Sequence, residues 1–216
     1  MALSVMYYSG EGVLQDTAEA LKWNQLAAAQ GYAVAQTNLG VMYYYGEGVS
    51  KNDVDAINWY RKAAVQGHAR AQTELGRMYS NGEGVLQDAA EALKWTQLAA
   101  EQGYAFAQTN LSVLYQKGLG VPKDDVVAVK WVRKAAEQGD AEAQARLGLM
   151  YVTGTGVPKN NVLAHMWWNL AAAQGNENAT RYLNGAIAKE MTPADISLAQ
   201  RLASECLARD YKNCGQ

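Results

Sequence analysis

The sequence predicts an all-α protein, a solenoid of five helix-loop-helix repeats closed by a degenerate C-terminal helix pair. Three observations predict it. First, landmark residues recur every 36 positions without an insertion: Gly10, Gly46, Gly82, Gly118 and Gly154; Trp23, Trp59, Trp95, Trp131 and Trp167; Gly31, Gly67, Gly103, Gly139 and Gly175. A period of this length marks a stacked array, because one unit cannot bury its apolar face alone. Second, each unit carries two stripes with helical spacing, such as Ala35, Leu39 and Tyr43, then Ala56, Trp59, Tyr60, Ala63 and Ala64. Third, Ala, Leu, Lys, Gln and Glu dominate, all good helix formers, and no long strand-like alternation occurs.

The punctuation assigns each element. A first helix, A, ends at "GEGV" or "GLGV", where glycine can leave the helix with positive φ. Val13, Val49, Val85, Val121 and Val157 close the loop, and Pro122 and Pro158 fall inside it. Asp16, Asp53, Asp88 and Asp124 stand near the start of the second helix, B, where a carboxylate can cap free N–H groups. The Gly31 series ends helix B. Small residues in helix A (Gly40, Gly76, Gly148, with Ser112 once) let helix axes approach.

The expected repeats are 1–34, 35–70, 71–106, 107–142 and 143–178, within one domain over 1–216. A cap spans 179–208 and a tail 209–216. In the cap, Ala179, Leu183 and Ile187 keep the helix A stripe, and Thr192, Pro193 and Asp195 read as N-cap, N1 and N3 of a closing helix. Leu3 corresponds to Leu39, so the first helix A starts partway through, which predicts further residues or repeats upstream.

The stretch Gly10–Leu39 returns almost unchanged as Gly82–Leu111, with only Thr17, Asn24, Ala29 and Val34 replaced by Ala89, Thr96, Glu101 and Phe106. Two near-identical blocks point to a recent duplication. Repeated positions are then scaffold, and function belongs where copies differ.

Several functions are disfavoured. The net charge is −2 with Lys and Arg scattered, so no basic stripe suits nucleic acid. Apolar runs are too short to span a bilayer. The Gly-x-Gly loops follow helices rather than a strand, unlike phosphate cradles. His68, in an inter-repeat turn, and His165, on helix B, have no ligand-spaced partners, so no metal, cofactor or catalytic set is implied. Each register tryptophan is expected in the core, with Trp→Ala costing about 3–5 kcal/mol; Trp168, outside the register, is expected to be more exposed. Cys206 and Cys214 either pair to fasten the tail, the expected outcome, or are free thiols in a reducing compartment.

The unit "AQTNLGVMYYYGEGVSKNDVDAINWYRKAAVQG" resembles the Sel-1-like repeat, and the resemblance covers essentially the whole chain. It implies a right-handed α/α superhelix whose A helices line a concave groove. It also implies a non-enzymatic adaptor for a peptide or protein partner, without cofactor; the expected state is a monomer. The tail is similar to that of bacterial periplasmic or secreted members, which sets the expected location, although the chain begins without a signal peptide. Cysteine-rich relatives are assigned penicillin-binding, β-lactamase-like hydrolysis, the alternative function; the five repeats here contain no cysteine.

By analogy with tetratricopeptide arrays, groove positions lie two before and two, five and six after the Leu39-type residue. They give Tyr8; Thr37, Val41, Tyr44 and Tyr45; Thr73, Arg77 and Asn81; Val113, Gln116 and Lys117; and Leu149. Tyr8, Tyr44, Tyr45 and Arg77 have the composition of an interface hot spot. The alternative for Tyr44 is packing between neighbouring A helices.

Overall fold

The computed structural model describes residues 2–185 and 191–214. The described residues form twelve helices and no strand: α1 Ala2–Ser9, α2 Thr17–Ala29, α3 Ala33–Tyr45, α4 Asp53–Ala64, α5 Ala69–Asn81, α6 Ala89–Glu101, α7 Ala105–Lys117, α8 Asp125–Ala136, α9 Ala141–Thr153, α10 Asn161–Ala173, α11 Glu177–Leu183 and α12 Pro193–Ala208. The fold is a helical solenoid. Its chain divides into two compact units, Met1–Gln102 and Gly103–Gln216. Helix A begins at Ala33, Ala69, Ala105 and Ala141, two residues before the expected repeat starts. Ile187 lies outside the described residues.

Local chemistry accounts for the repeated turn. Gly46 and its equivalents end helix A in the left-handed region, and the chain then folds back so that the N-cap of helix B bonds to helix A. Asn52 N donates to the Tyr43 carbonyl at 2.9 Å, and Asp88 and Asn160 make the same bond to Tyr79 and Tyr151. Asp16, Asp88 and Asp124 cap as expected. In the second repeat the cap is Asn52, whose side chain accepts from Val54 N and Asp55 N; Asp53 is instead the first helical residue. The 36-residue register of Asp16 falls on Asn52, and its amide oxygen serves the helix terminus as a carboxylate would.

Within each unit the core is built mostly from alanine and one leucine per A helix, Leu39 and Leu75 in the first unit and Leu111 and Leu147 in the second. The tryptophans depart from expectation. Of the five register tryptophans only Trp167 is fully buried; Trp23, Trp59, Trp95 and Trp131 are half-buried. Lysine stems supply cover, with Lys62 Nζ 3.9 Å above the Trp59 ring and Lys134 Nζ 4.4 Å above Trp131. The interior position of helix B is the next residue: Asn24, Tyr60, Thr96, Val132 and Trp168 are all buried. Trp168 is therefore a core residue, 1% exposed, with its indole N–H donating to the Ala145 carbonyl at 3.0 Å.

Small residues of helix A receive these side chains. A Cβ on Gly40 would stand 2.5 Å from the Tyr60 ring, and one on Gly148 would collide with the Trp168 indole. A ladder of buried amides joins consecutive repeats. Gln72 donates to the Ala64 carbonyl at 3.1 Å and accepts from Gln102 at 2.7 Å. Gln36 repeats the pattern with Ala28 and Gln66, and Gln144 with Ala136 and Gln174. Each of these carbonyls also accepts the N–H of the glycine that ends its helix (Gly31, Gly67 and Gly139), so the glutamine occupies its second lone pair.

The second unit is closed by α11 and α12, both packed on α10. Thr192 and Asp195 form a reciprocal capping box at the start of α12. A disulfide joins Cys206 to Cys214, turning the tail back so that Tyr211 lies on Gly139. Asp210, Tyr211 and Asn213 hold positive φ in this turn.

Candidate interaction surface

The outward side of each A helix is set by two constraints. The Leu39-type residue must point into the core, and the small residue beside it must meet helix B. Of the expected groove residues, Tyr8, Tyr45, Asn81, Lys117 and Leu149 are exposed, and Val41, Tyr44, Arg77, Val113 and Gln116 are half-buried. Tyr45 is the most open, at 67%.

Thr37 and Thr73 do not belong to this surface. Each is 1% exposed. Their hydroxyls donate to carbonyls one turn back, Ala33 and Ala69, both at 2.8 Å, which lets a threonine sit inside the core without an unsatisfied group. Thr37 Oγ1 also stands 2.9 Å from His68 Nδ1. Because that oxygen already donates to Ala33, the imidazole is the donor. Burial, then the charge of Arg70, lowers the His68 pKa.

In the first unit, the third repeat fills its own surface. Arg77 Nε meets Glu74 at 3.0 Å, and its Nη1 donates to Glu83 at 2.6 Å and to Tyr44 Oη at 3.1 Å, with the guanidinium 4.5 Å from the Tyr44 ring centre. Burial opposes the charge on Arg77, but the two carboxylates hold its pKa above the ordinary value. Glu83 is likewise lowered: burial pushes it up, and Asn81 and Arg77 outweigh that. Tyr44 is thus a packing residue between A helices, and Arg77 is an internally paired cation.

Between α1 and α3 the same place is open. A cavity of about 190 Å³ is lined by Tyr8, Asn24, Asn38, Val41, Glu47 and Arg70, among others. Tyr8 Oη donates to Glu47 at 2.8 Å. In the second unit a cavity of about 150 Å³ lies at the corresponding positions, lined by Ser112, Gln116, Arg146, Leu149, Thr153 and Thr155. The positions one before and two and five after the Leu-type residue plus those in the Gly-x-Gly loop therefore make the pockets. Asn24, Asn38, Glu47 and Arg70 were missed because the groove pattern covered one helix face only. Aligning the five copies would have exposed them, since Val41 stands where Arg77 stands one repeat later.

No helix among the described residues is long and apolar enough to cross a membrane.

Comparison with known proteins adds the family. The Sel1 repeat pattern matches residues 1–32, 33–68, 69–104, 105–140 and 141–176. A Sel1 repeat protein from Oxalobacter formigenes is 34% identical with a TM-score of 0.83, covering 100% of this chain and 84% of its own. A protective antigen of uropathogenic Escherichia coli strains, displaying an SLR fold, is 36% identical with a TM-score of 0.77 over 94% of this chain. The chain spans 44% of that antigen's length. An immunity protein from Pseudomonas aeruginosa shares the fold at 21% identity and a TM-score of 0.59, over 98% of this chain and 81% of its own. No curated protein matches. Sel1 repeats typically serve as protein-interaction scaffolds. With five tandem matches on a helical solenoid of the same period, the chain belongs to the Sel1 repeat family.

Proposed function

We propose that this protein is a non-enzymatic scaffold that holds an extended segment of a protein partner against the outward faces of its A helices, in the bacterial periplasm or outside the cell. One observation carries the reading. The core positions of helix A are constant from repeat to repeat (Ala35, Ala71, Ala107 and Ala143; Leu39, Leu75, Leu111 and Leu147), whereas the pocket positions change in size and charge: Val41, Arg77, Val113 and Leu149 occupy one register, and Tyr8, Tyr44, Ser80 and Gln116 another. Such variation on a constant frame is what recognition of one irregular partner requires. The absence of catalysis is supported by the placement of the reactive groups. His68 is engaged by Thr37, His165 is buried beside Asn169, and the cysteines are bonded to each other.

The disulfide supports the oxidising location, because a cytosol would keep both thiols reduced. Affinity capture from the source cells, read by mass spectrometry, tests the scaffold. A partner retained by the wild type and lost with Tyr45→Ala plus Leu149→Ala, at unchanged circular dichroism, is expected. Capture that ignores both substitutions would place recognition elsewhere. A labelled β-lactam forming a covalent adduct would reject the non-enzymatic reading.

A further inference from the structure

We propose that the cavity bounded by Tyr8, Asn38 and Glu47 binds the guanidinium of an arginine side chain carried by an extended partner segment. The inference rests on the scaffold reading and names the chemistry of one contact. Its basis is a comparison of the chain with itself. In repeats two and three, Tyr44, Glu74 and Glu83 surround Arg77. Thirty-six residues earlier the corresponding side chains are Tyr8, Asn38 and Glu47, and the place of Arg77 is taken by Val41. The ring and one carboxylate are kept, the second carboxylate is replaced by the amide of Asn38, the cation is gone, and about 190 Å³ is open in its place.

The acceptors there are only partly used. Glu47 makes no ion pair among the described residues; its hydrogen bond comes from Tyr8. Asn24, 3% exposed, has only the Met42 sulfur at 3.5 Å for its amide nitrogen and a long 3.4 Å bond from Asn38 on its oxygen. Val5, Val41 and Met42 offer an apolar wall for a methylene stem. A planar fork suits this set better than an ammonium, because around Arg77 the acceptors diverge along two N–H directions. Arg70, at the rim, opposes a cation. The field at Tyr8 nevertheless follows Glu47: its hydroxyl pKa is raised by the hydrogen bond to Glu47, by burial and by the Glu47 charge, with Arg70 only partly offsetting them. The cavity of the second unit has Gln116 and Thr155 in place of Tyr8 and Glu47 and lacks a lining carboxylate, so it does not share this preference.

The test is a titration of the full 15N-labelled chain with acetylated, amidated Gly-Arg-Gly, Gly-Lys-Gly, Gly-Glu-Gly and Gly-Leu-Gly, read by amide shifts of Tyr8, Val41 and Glu47. Gly-Arg-Gly is expected to bind with Kd on the order of millimolar, as befits one anchoring side chain. Gly-Lys-Gly should bind more weakly, and the other two should not bind. Glu47→Gln should weaken the arginine peptide by about tenfold or more, the loss of one charge-assisted contact. Arg70→Ala should tighten it. Val41→Arg should abolish binding while keeping or raising the melting temperature, because it closes the cavity as Arg77 does. In the titration, three results would overturn the proposal: no shift with any peptide, Gly-Glu-Gly binding that is lost with Arg70→Ala, or arginine binding that survives Val41→Arg. A captured partner still held by Val41→Arg would also reject the pocket while leaving the scaffold reading intact.

Discussion

At Gly40, two effects of one methyl group oppose each other. Alanine in place of glycine favours a helix by up to about 1 kcal/mol. The added carbon would, however, stand 2.5 Å from the Tyr60 ring, and overpacking of this kind costs about 1–3 kcal/mol. Gly40→Ala is therefore expected to destabilise in a urea melt. The tryptophans divide in the same way by surroundings. Trp168→Ala should cost about 3–5 kcal/mol, as for other fully buried rings, whereas Trp59→Ala should cost less because solvent and Lys62 already share its surface. His68 gives a pH signature. Its folded pKa is lowered, so the unfolded chain binds a proton more readily. The stability it contributes is present above about pH 6.5 and is lost as pH falls from there toward the folded value. His68→Asn, with the residue that caps α11 at the same register, should shrink the fall in melting temperature between pH 7.5 and pH 5.5.

Among the elements, the amide ladder sets how one hairpin is locked to the next. Gln72→Ala would remove two hydrogen bonds inside the first unit, leaving the Ala64 carbonyl with Gly67 N–H alone and the Gln102 amide with the Leu98 carbonyl alone, an expected loss of about 1–3 kcal/mol in denaturant unfolding. The period, the Gly-x-Gly loops and most caps were legible in the sequence because each reports a backbone need that recurs every 36 residues. The buried side of helix B was not. Tryptophan is the conspicuous residue of α4 and α8, yet the inward position is its neighbour, Tyr60 or Val132, and lysine stems cover the indoles. Thr37 was misplaced for a related reason: a hydroxyl that bonds its own helix loses the polarity that marks a surface residue. The Tyr44–Arg77–Glu83 cluster joins three points in two repeats, and a pattern read along a single helix does not reveal it.

For the molecule as a whole, stability is distributed unevenly. In the second unit Trp167, Trp168 and the paired cysteines belong to one continuous core with α10 and α12. Reducing Cys206–Cys214 frees a short loop whose closure is worth about 2–3 kcal/mol by chain entropy. It also releases a turn that holds three non-glycine residues at positive φ. Hydrogen exchange in α12 is expected to quicken on reduction, with alkylation and mass measurement confirming the thiol state. In the first unit α1 contributes a single buried residue, Ser4, and should exchange fastest of its helices.

Because Gln36, Gln72 and Gln144 each reach back to an alanine carbonyl and are each reached by the glutamine that ends the same hairpin, these joins use one lock and one key. A deletion or duplication of 36 residues rejoins identical ends. Copy number, and with it the number of A-helix faces, can therefore change without inventing a new seam at these joins.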